Sequence, residues 1–449
     1  MLVHGLAVAC AATVRALQAR GADVVASDDV VDDAKRAVAG ELGVELVESP
    51  DRDRLEQLVV ASELIVPAPG VPETHPLFGI AAAHGRVVQS ELELAYRWEQ
   101  ERPGGPRPML TVTGTDGKTT TTLMAVEILA AAGVRSVAAG NTDVPLVTAL
   151  DLDVDAFVVE CTSFRLAWTE QFRGDAAAWL NLAPDHLNWH TGMDTYEAAK
   201  AHIFTQQRPD DVAIGFADDP VVMAHLATAP ARRRTFATRG ADYHVAGTGD
   251  DAVLTGPQGQ LAPVPSMRRA LPHDQTNGLA AAALTIETGL ATPEAVARAL
   301  ATFVGPPHRI ELVGEHGGVR WFNDSKATTP HAASVAIRAF DSIVLIAGGS
   351  NKGLDLAPMA AAGTGRVHAV VAIGQAAGVI ADAFSGTANV VNADSMARAV
   401  ELAGELSRPG DVVLLSPGCA SFDWYGGYPE RGDDFRRTVR TRIGGGDDA

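Results

Sequence analysis

The stretch TVTGTDGKTTTT, residues 111–122, restricts the possible folds of this chain more than any other segment. An apolar run, Met109-Leu110-Thr111-Val112, precedes it and reads as a strand, while Leu123 to Leu129 follows it and reads as a helix. A loop between them with glycines at 114 and 117 can bring backbone N–H groups against phosphate oxygens at the helix N-terminus. Lys118 would then reach the β- and γ-phosphates of a nucleotide, and Thr119 would coordinate Mg²⁺. The full GxxxxGK[ST] pattern requires glycine at 112, where valine stands, so Gly114-x-x-Gly117-Lys118-Thr119 is a shortened variant. A Thr/Gly-rich turn that merely opens a helix is the bland alternative.

A chain of 449 residues holds two to four domains of ordinary size, and 47% hydrophobic content fits a soluble globular protein. No run of 18 apolar residues predicts a membrane span. The formal charge of −19 argues against a nucleic-acid partner. Three cysteines, Cys10, Cys161 and Cys419, are too few and too far apart for a disulfide framework, which favours a cytoplasmic protein. The apolar start, Leu6 to Ala12, lacks a preceding Lys or Arg and continues at helical spacing to Leu17, so it reads as strand-turn-helix rather than a signal peptide.

Residues 99–108, EQERPGGPRP, read as a linker, and Gly305-Pro306-Pro307 as a second joint after a helical stretch from Pro293 to Phe303. The expected organisation is therefore α/β with three domains: 1–102, Rossmann-like; 103–304, a P-loop-type ATP-binding centre; and 305–449, also Rossmann-like. Alternating apolar strands and helices in each imply parallel sheets. In the first, Leu2 to Cys10, a helix and then Asp23 to Asp28 have the layout of a dinucleotide-binding unit. Ala7 and Cys10 replace its second and third glycines, while Asp28 or Asp29 could reach a base. A nicotinamide-dependent dehydrogenase is the rival this unit suggests.

In the centre, Asp155 to Glu160 is an apolar strand ending in an acid, as a second Mg²⁺ ligand opposite the loop requires. Ala178 to His186 puts Asp185 and His186 past a strand's C-terminal end, the edge where open α/β sheets bind ligands. Residues 232–275 read as short strands and turns. In the last segment, 322–328, 347–353 and 414–423 each follow an apolar strand and end in polar residues, three loops for one site wall. Only five lysines occur, at 35, 118, 200, 326 and 352, against 31 arginines. Four of them fall in or beside these segments, whereas Lys35 reads as a solvated surface residue. A compact ammonium suits a point contact with phosphate, and only a primary amine can be modified by CO₂.

Together these residues resemble the Mur ligases, ATP-dependent enzymes of peptidoglycan precursor synthesis, and within them the branch that adds D-glutamate. The likeness covers nearly the whole chain: the shortened loop, Gly140-Asn141, Glu160 with Ser163-Phe164, Asp185-His186, Lys200, His308-Arg309, DSKAT at 324–328 and SPGCASFDWYGGYPERG at 416–432. The resemblance implies that Gly114, Thr115, Asp116, Gly117, Lys118, Thr119 and Thr120 hold ATP, with Asn277, Arg309 and Asp324 on its adenosine part. It implies a first Mg²⁺ on Thr119 and Glu160 and a second on His186 and Lys200, the latter as a carbamate, with Mn²⁺ a possible substitute. Asn141, Ser163 and His186 would contact UDP-N-acetylmuramoyl-L-alanine, with Asp28 and Gly70 near its UDP. Lys326, Thr328, Lys352, Ser421 and Tyr428 would hold D-glutamate. A cytoplasmic monomer is expected. Three positions depart from the family pattern: Asp116 and Asp274 stand where Asn is usual, and Tyr428 where Phe is. Another ADP-forming amide ligase, such as a sister Mur ligase or a folylpolyglutamate synthetase, or a non-catalytic nucleotide-binding module, are the remaining alternatives.

Overall fold

The computed structural model describes residues 1–351 and 353–444 and divides into two compact units, Met1–Phe303 and Val304–Ala449. The first unit contains two parallel sheets. One is built from β1 (Leu2–His4), β2 (Val25–Asp28), β3 (Glu45–Glu48), β4 (Leu64–Pro67) and β5 (Val87–Val88), in the order β3-β2-β1-β4-β5. Between β1 and β2 runs the helix Val8–Ala19, so the apolar start is strand-turn-helix as its spacing predicts.

The second sheet comprises β6 (Met109–Thr113), β7 (Ser136–Gly140), β8 (Ala156–Glu160), β9 (Ala176–Trp179), β10 (Val212–Phe216) and β11 (Arg232–Phe236), ordered β11-β10-β9-β6-β8-β7. Strands β6, β8 and β9 are buried along their whole length, as a parallel sheet covered on both faces requires. Residues 232–275 contribute β11, then the antiparallel strands β12 (His244–Ala246), β13 (Val253–Gly256) and β14 (Gly259–Pro263), but they also contain the start of the helix Pro272–Glu287.

The stretch 99–108 is less free than its prolines and glycines predict. The helix Glu91–Gln100 runs into it, and Arg107 donates through Nε and Nη2 to the two oxygens of buried Glu99 at 2.9 and 2.8 Å. On the same helix, buried Glu93 accepts the backbone N–H groups of Glu170, Gln171 and Phe172, which precede β9. A buried carboxylate is costly unless paired. These partners therefore fasten the helix that follows the first sheet onto elements of the second.

The second unit has a six-stranded sheet: β15 (Glu311–His316), β16 (Val319–Asn323), β17 (Ile343–Gly348), β18 (Val367–Ile373), β19 (Asn389–Ala393) and β20 (Val412–Leu415), ordered β15-β16-β20-β17-β18-β19. Only β15 is antiparallel to its neighbour. Strand β17, IVLIAG, is wholly buried. Cys10, Cys161 and Cys419 are buried free thiols.

Candidate functional site

In the first unit, β6, β7, β8 and β9 deliver their C-terminal ends to one edge, since Val112 and Gly140 both pair with Glu160 and Thr113 pairs with Trp179. The loop 114–117 leaves β6 there and runs into the helix Lys118–Ala131. Its shape is set by Asn181, whose Oδ1 accepts the N–H groups of Thr115 and Asp116, each at 2.9 Å. Gly117 caps the helix at φ +84°, and a Cβ on it would lie 2.6 Å from Asn277 Oδ1, so only glycine fits the loop beside Asn277.

Lys118 Nζ donates to the carbonyls of Gly114 and Thr115 at 2.9 and 2.8 Å. Lys200, on the helix Met193–Thr205, donates to the same Gly114 oxygen at 2.7 Å and is buried, at 1% exposure. Burial, and then the nearby Lys118 ammonium, push the Lys200 ammonium well below its ordinary value. That direction favours the neutral amine over the ammonium.

Glu160 ends β8, buried, with Oε1 accepting from Asn141 Nδ2 at 2.8 Å. Its Oε2 is buried and has no hydrogen-bond partner among the described residues. An unpartnered buried carboxylate oxygen on the sheet edge that carries the phosphate loop suits a hard divalent cation. His186 has φ +55°, its ring lies edge-on to Phe164 at 4.6 Å, and burial lowers its pKa, which favours the neutral imidazole a metal requires. Thr119 stands in the first turn of the loop helix, and Thr120 next to it in sequence is buried.

Toward the first sheet, Asp28 accepts Leu6 N–H at 2.7 Å and Val30 N–H at 3.0 Å and pairs with Lys35 Nζ at 2.8 Å. Lys35 thus sits on a candidate site residue instead of a solvated face. Gly70 lies in the turn after β4. His4, Asp29 and His75 bring ligand atoms within 4.8 Å of one another. His75 Nδ1 accepts Leu77 N–H, which leaves the proton of a neutral ring on Nε2, 3.0 Å from Asp29. His4 Nε2 lies 3.6 Å from the same Asp29 oxygen. Ser163 Oγ is 2.9 Å from His190 Nε2, and His190 Nδ1 is 3.1 Å from Glu73. Asp274, fully buried, accepts from Arg269 Nε at 3.0 Å, so the charge that distinguishes it from Asn is balanced.

In the second unit, the loops after β16, β17 and β20 share one edge, with Asn323 and Ile346 both in register with Leu415. Asp324 accepts Ser416 Oγ–H at 2.8 Å and Ile310 N–H at 3.2 Å, next to Arg309 in sequence. Lys326 Nζ lies 5.7 Å from the Tyr428 ring centre, Thr328 is held through its N–H to the Lys326 carbonyl, and Ser421 is buried. Lys352 is outside the described residues. Arg431, which sequence reading left within a longer stretch, is buried and donates to Ser325 Oγ, Ser325 O, Cys419 O and Ala420 O, tying two of the loops together. Asn181, Arg165 and His190 likewise carry no local signal in the sequence beyond the position of Asn181 and His190 near Asp185-His186.

A phosphate loop on a parallel-sheet edge, with a buried carboxylate and a buried lysine beside it, defines a P-loop-type nucleotide-binding α/β protein. The chain belongs to the Mur ligase family: residues 112–283 match the Mur ligase middle domain and residues 308–419 the Mur ligase, glutamate ligase domain. It is 41% identical to a UDP-N-acetylmuramoylalanine--D-glutamate ligase of Frankia casuarinae over 99% of this chain and 94% of that protein. It is 39% identical to one of Myxococcus xanthus over 98% and 97%. The MurF ligase of Thermotoga maritima, solved in complex with ADP, shares the fold with a TM-score of 0.59 at 16% identity, covering 84% of this chain and 95% of that one.

Proposed function

We propose that this protein is an ATP-dependent ligase that joins D-glutamate to UDP-N-acetylmuramoyl-L-alanine in peptidoglycan precursor synthesis. What carries the reading is a full-length likeness to D-glutamate ligases together with Lys118 and Lys200 on one carbonyl of the phosphate loop. The terminal carboxylate of the L-alanyl group attacks the γ-phosphorus of ATP, ADP leaves, and an acyl phosphate forms. The D-glutamate amine then attacks the acyl carbon, phosphate leaves, and the amine loses a proton as the amide forms.

Phosphoryl transfer needs positioning and charge neutralisation more than covalent help. The loop N–H groups would cradle the phosphates, and Lys118 would turn from the Gly114 and Thr115 carbonyls to the β/γ oxygens. Thr119 with Glu160, and His186 with a carbamate of Lys200, would each hold a Mg²⁺. When bound, these ions neutralise charge on the transferring phosphoryl group. Asn277, Arg309 and Asp324 are assigned to adenosine, and Asp28, Gly70, Asn141 and Ser163 to the UDP-muramoyl substrate. Lys326, Thr328, Lys352, Ser421 and Tyr428 are assigned to D-glutamate, the lysines answering its two carboxylates. Under this reading the reaction runs in the cytoplasm with a monomeric enzyme. No helix among the described residues is long and apolar enough to cross a membrane.

The test supplies ATP, Mg²⁺ and UDP-N-acetylmuramoyl-L-alanine with a panel of amino acids and follows phosphate release. D-Glutamate should support turnover, and L-glutamate, L-lysine and diaminopimelate should not. Equal turnover with another amino acid would move the chain to a sister ligase.

A further inference from the structure

Three buried side chains, Glu91, Arg165 and Glu160, are connected through the exposed Asn141 within the first unit. Glu91 opens the helix that follows β5, is 4% exposed, and has Oε1 3.3 Å from Arg165 Nε. Arg165 lies on the one-turn helix Ser163–Leu166 and donates through Nη1 to Asn141 Oδ1 at 2.6 Å. Asn141 donates in turn through Nδ2 to Glu160 Oε1 at 2.8 Å, and its backbone N–H reaches the Glu160 carbonyl at 2.9 Å. Gly140, at φ +89°, allows this approach, since a Cβ there would lie 2.5 Å from the Glu160 carbonyl oxygen.

Glu91 meets Arg165 as an ion pair, its Oε1 and the arginine Nε making no hydrogen bond among the described residues, while the links from Arg165 to Asn141 and from Asn141 to Glu160 are hydrogen bonds of fixed direction. A guanidinium only donates and a carboxylate only accepts, so the Asn141 amide has one satisfactory orientation between them. With its NH₂ spent on Oε1, Glu160 is left with Oε2 as the unpartnered oxygen. We infer that Glu91 and Arg165 are positioning residues, which act through Asn141 to aim Glu160 Oε2 at a divalent cation. This rests on the proposal above that Glu160 is a metal ligand. Arg165 serves two partners through two nitrogens of one rigid fork, a task a lysine ammonium cannot take over. Without it, the Asn141 amide is free to flip, and its carbonyl would then oppose the carboxylate it now fixes.

The test uses the full-length protein and its variants Arg165→Lys, Glu91→Gln and Glu160→Gln. Mn²⁺ binding is read by electron paramagnetic resonance with a non-hydrolysable ATP analogue present, and folding by thermal melts. Glu160→Gln should abolish the Glu160-dependent Mn²⁺ signal. Arg165→Lys and Glu91→Gln should weaken Mn²⁺ binding by about 10-fold, the usual scale for groups that orient a metal ligand, with melting temperatures near that of the parent. If Glu160→Gln loses Mn²⁺ while the other two bind it as the parent does, the positioning role is overturned and the metal assignment stands. If Glu160→Gln itself binds Mn²⁺ normally, the metal assignment falls and takes this inference with it. If Arg165→Lys and Glu91→Gln both fail to fold, the pair is a brace and the positioning role is likewise overturned.

Discussion

Lys118 and Lys200 meet on one carbonyl oxygen, yet they predict different failures. Lys118→Ala should reduce ADP formation by at least about 100-fold, the scale for removing one preorganised charge from a phosphoryl-transfer site. Calorimetry should still find the UDP substrate bound, because that ligand is assigned to other residues. Lys200→Ala should lose nearly all activity and regain part of it with added short-chain carboxylates, which can occupy the space of a carbamate. Full activity in Lys200→Arg would refute the carbamate, since a guanidinium cannot form it. A pH effect belongs to His308, whose imidazole burial holds below its ordinary value while Asn323 Nδ2 donates to its Nδ1 at 3.0 Å. The folded state thus prefers the neutral ring. Its contribution is present above the unfolded value of about 6.5 and is lost as pH falls through the folded one, by at most about 1.4 kcal/mol per pH unit for one proton. Replacement by Asn, which tolerates the left-handed backbone at φ +60°, should flatten the acid limb of stability in melts from pH 7.5 down to 5.

At the scale of elements, what the sequence disclosed was whatever depends on near neighbours. The loop between β6 and its helix could be read because strand, glycines, lysine and helix are contiguous, and Glu160 could be read because it closes an apolar run. Asn181 could not be assigned its part, since its bonds to Thr115 and Asp116 span 66 and 65 residues. Arg165 and Arg431 were hidden for the same reason: an arginine in sequence reads as surface, and only the fold shows both buried with carbonyls, amides or acids around them. The linker at 99–108 was read from composition, which describes its turn residues but not the partners of Glu91, Glu93 and Glu99. Glu93 supplies the prediction here. Replacing it with Ala leaves three N–H groups without their acceptor, which should cost on the order of 3 kcal/mol in denaturant unfolding of the first unit. A change below about 0.5 kcal/mol would mean water replaces the carboxylate at no loss.

For the molecule as a whole, a break in the chain need not break a unit. Residues 103–106 are exposed, so limited proteolysis can nick the first unit there. The two pieces should nevertheless co-elute in size-exclusion chromatography, because all three glutamates of the helix Glu91–Gln100 keep their partners beyond the nick. Separation of the pieces without denaturant would contradict that. The same helix governs where relatives could exchange parts. A chimera joined at residue 102 inherits its glutamates from one parent and Arg107, Arg165 and the 170–172 turn from the other. It needs both parents to have kept matching answers. A chimera joined at 304 carries glutamates and partners together, so natural recombination and laboratory shuffling alike have the easier crossover at the second joint.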